Sequence, residues 1–172
     1  CLVNRYRRNF LKSLALLLLF LPLRIFPSFN KDTVISFKYG VASGDPTNTN
    51  VILWTKILPI GNPEIRVRWE VSTLSNFSNL VTFGHVRTNS KNNYTVKVDA
   101  KIPRQYNGKK LYYRFLADGK NSEIGTTSTL PIENPTNFNI AFCSCSNYPA
   151  GYFNAYKEIA NNEKINLVLH LG

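Results

Sequence analysis

Between Phe37 and Thr129 the chain divides into seven short segments of alternating polarity, separated by turn residues and containing no cysteine. The candidate strands are Phe37 to Ser43, Val51 to Lys56, Ile65 to Ser72, Leu80 to Thr88, Tyr94 to Ala100, Leu111 to Asp118 and Ser122 to Thr129. Successive side chains of a strand point to opposite faces, so a strand half-covered by a core reads apolar and polar in turn. In the third segment Ile65, Val67, Trp69 and Val71 share one face, and Arg66, Arg68, Glu70 and Ser72 share the other. In the fifth, Tyr94, Val96, Val98 and Ala100 oppose Thr95, Lys97 and Asp99. Asp45-Pro46, Gly61-Asn62-Pro63, Asn89 to Asn93, Asn107-Gly108 and Asp118-Gly119 mark the turns.

So many short strands in so little chain predict an antiparallel β-sandwich of immunoglobulin or fibronectin type III kind. Without cysteines the inter-sheet disulfide of antibody domains is excluded, which favours the fibronectin-like version. Pro131 to Asn137 reads as a linker, and the pattern then changes. Phe138, Ile140 and Phe142 alternate in a run apolar enough for a strand covered on both faces, which is expected to reach Cys145. Asn147 offers a helix cap and Pro149 a first-turn proline. From Gly151 to Asn162, Tyr152, Phe153, Tyr156, Ile159 and Ala160 recur at helical spacing. Leu167 to Leu171 is a second strand. The whole is an α+β chain in two parts, a β-sandwich followed by one right-handed strand–helix–strand unit. Any chemistry in such a unit belongs at the carboxyl ends of its strands, Ser144 to Asn147 and Gly172.

The formal net charge is +11, from 21 basic and 10 acidic residues. Five of the basic residues precede Lys31, where no acidic residue occurs, and the remaining 16 face 10 acidic ones. A nucleic-acid surface would show a dense basic stripe with interleaved aromatics, whereas here the basic residues are mostly single outward positions on strands. No nucleic-acid partner is expected, and attraction to phosphate-bearing substrates or anionic lipid is merely compatible with the charge.

Residues 1 to about 30 read as a targeting segment. Arg5, Arg7, Arg8 and Lys12 precede an apolar core from Leu14 to Leu23, too short for a comfortable membrane span. Arg7-Arg8-Asn9-Phe10-Leu11-Lys12 fits the twin-arginine pattern, with Tyr6 where serine or threonine is commoner. The expected partner is the twin-arginine export machinery. No clean A-x-A cleavage site is visible, so retention as an N-terminal anchor beside the membrane stays open.

Phe142-Cys143-Ser144-Cys145-Ser146-Asn147-Tyr148, Gly151-Tyr152-Phe153-Asn154-Ala155-Tyr156 and Val168-Leu169-His170-Leu171-Gly172 resemble the opening of the metallophosphoesterase domain of PhoD-type alkaline phosphatases. Tyr39-Gly40-Val41-Ala42-Ser43-Gly44-Asp45-Pro46, followed by Val51-Ile52-Leu53-Trp54-Thr55, resembles the start of that family's N-terminal domain. The resemblance implies an N-terminal β-sandwich over 37–131 and the start, a βαβ unit, of an αββα metallophosphoesterase domain over 138–172. It implies an exported, periplasmic or cell-surface hydrolase of phosphomonoesters or phosphodiesters that uses iron(III) and calcium. The family's thiolate iron ligand corresponds to Cys145. Its next ligand is an aspartate directly after the Leu-Gly that closes the second strand, where this sequence stops. Beginning with Cys1 and ending at Gly172, the chain reads as a fragment, expected to be inert as written.

From the residues alone, Cys145 could equally be a small core residue, and Cys143 is expected to pack below it. The two lie too close on one strand for an unstrained disulfide, and Cys-x-Cys lacks the further ligands of a closed zinc site. His170 reads as a structural histidine near the strand end, and His85 shows no partner. Asp45, Asp99 and Asp118 read as turn or strand-edge carboxylates. Asn147 and Tyr148 lie beside Cys145, where they could touch a phosphate. Two other functions fit: a non-catalytic exported binding module built on the sandwich, and a phospholipase D-like phosphodiesterase acting on lipid.

Overall fold

The computed structural model describes residues 34–172, and the expected signal segment lies outside the described residues. Twelve strands and one α-helix follow in order. A short pair, β1 (Ile35–Ser36) with β4 (Leu58–Pro59), fastens the start of the described chain. β2 (Val41–Gly44), β3 (Asn50–Lys56) and β7 (Thr95–Lys101) form a three-stranded antiparallel sheet. β5 (Ile65–Ser72), β6 (Leu80–Thr88), β8 (Leu111–Ala117), β9 (Lys120–Asn121) and β10 (Gly125–Thr127) form a five-stranded sheet in the order β10-β8-β5-β6, with β9 on β8.

The alternation in the sequence explains how these sheets meet. Val51, Leu53 and Thr55 on β3 and Val96 and Ala100 on β7 point inward from one sheet. Ile65, Val67 and Val71 on β5 and Leu111, Tyr113, Phe115 and Ala117 on β8 point inward from the other, and the apolar members of both sets form one buried cluster. Burying each valine, leucine, isoleucine or phenylalanine of this set is worth about 1.5–3 kcal/mol. Thr55 is the polar member of the inward row on β3, and its hydroxyl donates to Gly40 O at 2.8 Å.

Two expected strands are interrupted. Phe37 to Ser43 does not run through: the chain turns at Phe37–Gly40, Gly40 N donating to Phe37 O, because Gly40 adopts a left-handed φ of +68°. Ser122 to Thr129 is broken because the Ser122 hydroxyl replaces ladder partners, accepting from Phe115 N at 2.9 Å and donating to Glu123 O at 2.7 Å. The strand resumes at Gly125, which lies over Tyr113. A Cβ there would sit 2.3 Å from Tyr113 Cζ, so this packing requires glycine.

Beyond Thr129, β11 (Ile140–Cys143) and β12 (Leu167–His170) pair in parallel, Ile140 opposite Leu167 and Cys143 opposite His170. They are joined through α1 (Asn154–Asn161). The helix starts later than expected. Gly151 (φ +121°) and Phe153 (φ +51°) are left-handed, so neither the Asn147 cap nor a Pro149 first turn forms. Tyr152 therefore lies before the helix, 92% exposed, instead of on its packed face. Among the described residues β11 pairs only with β12 and is not covered on both faces, Phe142 being 66% exposed.

Candidate functional site

At the amino end of the parallel pair, Asn139 and Asn166 tie the strands together. Asn139 N donates to Asn166 Oδ1 and Asn166 N to Asn139 O, each at 2.9 Å. At the carboxyl end Leu171 N donates to Cys143 O at 2.9 Å, and Cys145 N donates to Gly172 O at 2.8 Å. Parallel strands bring their carboxyl ends to one edge, and the second of these bonds sets Cys145 directly beside Gly172.

Cys145 is not within the strand, as alternation suggested. β11 ends at Cys143, and Cys145 follows with a left-handed φ of +57° and an exposed side chain. The two sulfurs therefore do not share a strand face. Cys143 is half-buried, its thiol 3.7 Å from Leu169 O. That is a weak S–H contact typical of a packed cysteine.

His170, the last residue of β12, is held from both ring nitrogens. Nδ1 accepts from Gly172 N at 3.1 Å, and Nε2 lies 2.9 Å from the Tyr156 hydroxyl of α1, with the rings stacked at 12°. Because Nδ1 accepts a backbone N–H, the neutral ring carries its proton on Nε2 and donates it to Tyr156 Oη. A continuous path thus runs from the helix through His170 to Gly172 and on to Cys145. Asn147 O accepts from Ala150 N at 3.0 Å, and Tyr148 is 85% exposed with its ring 6.1 Å from Phe153. Both lie in the loop after Cys145, and neither makes a side-chain hydrogen bond to it among the described residues.

Among the described residues no three His, Cys, Asp or Glu side chains come together as a metal centre. Asp45 and Asp118 have left-handed backbone, Asp118 in the β8–β9 turn, and Asp99 accepts from Asn50 Nδ2 across β3 and β7 at 2.9 Å. Cys145 therefore stands as one exposed soft donor without a second. A thiolate of this kind suits iron or another soft-ligand metal as a single ligand among several. One feature of the sandwich was missed by reading strands singly. Arg66, Arg68 and His85, on β5 and β6, share an open basin with Lys120, the first residue of β9.

A β-sheet chain whose parallel strand–helix–strand end presents a cysteine at its carboxyl edge defines the class: a two-part, mostly β protein with an open α/β edge. The sequence profile described as "PhoD-like phosphatase, N-terminal domain" matches residues 27–131, and that described as "PhoD-like phosphatase" matches residues 140–172. The chain belongs to the PhoD-like phosphatase family. It is 38% identical over 145 residues to "Alkaline phosphatase D" of Bacillus subtilis (strain 168), covering 79% of this chain and 24% of that protein. A solved structure of PhoD superposes with a TM-score of 0.72 at 36% identity, covering 79% of this chain and 27% of the other. The chain thus spans about a quarter of the length of these relatives.

Proposed function

We propose that the chain is the N-terminal part of an exported, metal-dependent phosphoester hydrolase of alkaline phosphatase or phosphodiesterase type. In this reading 37–131 is a fibronectin-like β-sandwich, and 138–172 is the first βαβ unit of an αββα metallophosphoesterase domain. Arg7-Arg8-Asn9-Phe10-Leu11-Lys12 addresses it to the twin-arginine machinery, and so to the periplasm or cell surface.

The observation that carries the reading is the parallel β11–β12 pair with Cys145 held against Gly172. Ligands of open α/β sheets gather at this edge. Cys145 is the metal ligand of this proposal, with iron(III) as the ion that suits its thiolate. Calcium ions would take hard oxygen donors, which the described edge does not assemble. When bound, such cations polarise phosphoryl oxygens and lower the pKa of a bound water. What this chain itself contributes is an exposed sulfur on a fixed backbone. Gly172 O holds the Cys145 amide, His170 Nδ1 holds Gly172 N, and Tyr156 holds the His170 ring. Asn147 and Tyr148 flank the same edge, within reach of a phosphomonoester or phosphodiester.

The test is phosphoester hydrolysis by the purified full-length parent, with metal analysis of the same sample. Turnover abolished by chelator, with iron and calcium bound, is the expected result. A folded full-length product with neither metal nor turnover would overturn it and leave a binding module. Cys145→Ser should remove most of the iron and most of the activity, whereas Cys143→Ser should chiefly lower the thermal midpoint. Equal, mild losses of iron from both would refute the ligand assignment.

A further inference from the structure

The outer face of the five-stranded sheet carries a charge arrangement that packing does not explain. Arg66 of β5 lies directly opposite Arg87 of β6, and Arg68 lies directly opposite His85. Like charges facing each other across antiparallel strands are destabilising. Arg87 is relieved by Glu64, Nη1 to Oε1 at 2.7 Å. Arg66 has no ion pair among the described residues.

Arg68 is held in place. Its Nε donates to Glu70 Oε1 at 2.7 Å and its guanidinium lies over the Phe83 ring at 4.5 Å, so the remaining N–H groups are presented on a fixed plane. β8 stops pairing with β5 at Arg68, and beside Arg66 the chain instead turns through Asp118 (φ +47°) and Gly119 (φ +69°) into β9. That two-residue hairpin turn, of the kind in which both central residues take positive φ, raises a wall at the end of the sheet. Between turn and sheet lies an open basin of about 400 Å³ whose lining includes Arg66, Arg68, His85 and Lys120 together with the single carboxylate Asp118.

We propose that this basin binds a phosphate group of a soluble, multiply charged phosphate compound. Arginine forks match phosphate oxygens, and a guanidinium already fixed by Glu70 and Phe83 loses little freedom on binding. Bound phosphate also gives Arg66 the counter-charge that it lacks among the described residues. The basin uses no residue of the proposed hydrolytic edge, so it stands or falls independently of that reading. A lipid headgroup carries the same phosphate chemistry, and the experiment separates the two sources.

Inorganic tripolyphosphate is titrated calorimetrically into the full chain at low and moderate salt, and vesicles containing phosphatidylglycerol are tested separately. Saturable binding of tripolyphosphate that weakens with salt is expected. Arg66→Gln and Lys120→Gln should each lower affinity about fivefold, the loss of roughly one charge-assisted contact. Both side chains are exposed, so neither change should move the thermal midpoint. Lys97→Gln, on the other sheet, removes the same charge and should leave affinity unchanged. Absence of tripolyphosphate binding, equal losses in all three variants, or binding to vesicles alone would each overturn the proposal.

Discussion

Glu70→Gln is the most informative single perturbation of the sandwich. Glu70 is 6% exposed, and its carboxylate lies between two guanidiniums. Arg68 Nε donates to Oε1 at 2.7 Å, while Arg114 Nε and Nη2 both reach Oε2 at 2.9 Å. Glutamine keeps the shape but removes the charge and turns an N–H group toward one guanidinium. Breaking a buried ion pair costs about 3–5 kcal/mol when the surviving charge stays dry. Here the arginine side chains retain 35% and 25% of their exposure, so water recovers part of that loss. A destabilisation of about 2–3 kcal/mol results. With a urea slope of roughly 1–3 kcal/mol per molar, the unfolding midpoint should fall by about 1 M or more. Each arginine also lies over an aromatic ring, Arg68 on Phe83 and Arg114 on Phe77, so their release should expose aromatic surface. A midpoint change below about 0.3 M with unchanged slope would show that this trio does not hold the outer face together.

Gly125→Ala should destabilise by about 1–3 kcal/mol, read as a lowered thermal midpoint, because the added methyl must displace the Tyr113 ring. Burial pushes the Tyr113 phenol from 10.0 up to about 12, against a smaller opposite effect of its hydrogen bond with Ser43. The fold therefore keeps a proton that the unfolded chain loses. The associated stability is fully present below pH 10 and is lost as pH rises through about 12, a fall of about 1.4 kcal/mol per pH unit that Tyr113→Phe should flatten in alkaline unfolding. His170→Phe keeps the stack on Tyr156 but removes the acceptor for Gly172 N, and should speed hydrogen exchange at the Gly172 and Cys145 amides at least severalfold. Unchanged exchange would mean that His170 does not order the strand-end loop.

Where sequence and fold agree, one local rule sufficed. β5 and β6 run over the residues that alternation marked, because each has one face on the core, with Pro63 shortly before β5 and Asn79 and Asn89 flanking β6. Where they differ, a competing bond or contact outside the period decided the outcome. Gly40 turns an apolar run that reads as extended, and the Ser122 hydroxyl displaces backbone partners in a segment with strand composition. Asn147 and Pro149 make a plausible helix start, yet the left-handed backbone at Gly151 and Phe153 defers it to Asn154. Apolar content suggested cover on both sides of β11, and among the described residues its one sheet neighbour is β12. Cys145 was legible as a strand-end residue, while its conformation was not, since that depends on the Gly172 carbonyl. The arginine basin was not legible at all. It needs β5, β6 and the β8–β9 turn side by side, and no single period reports that.

The left-handed backbone at Cys145 sets fitness of the fold against the chemistry proposed for its sulfur. A residue with a Cβ in that conformation costs on the order of 1 kcal/mol, which glycine would relieve. Selection for thermal robustness alone would drift toward glycine here and lose the sulfur. Stabilising libraries built on this scaffold should hold position 145 fixed, since a gain in melting temperature there would remove the sulfur that the proposed metal site requires.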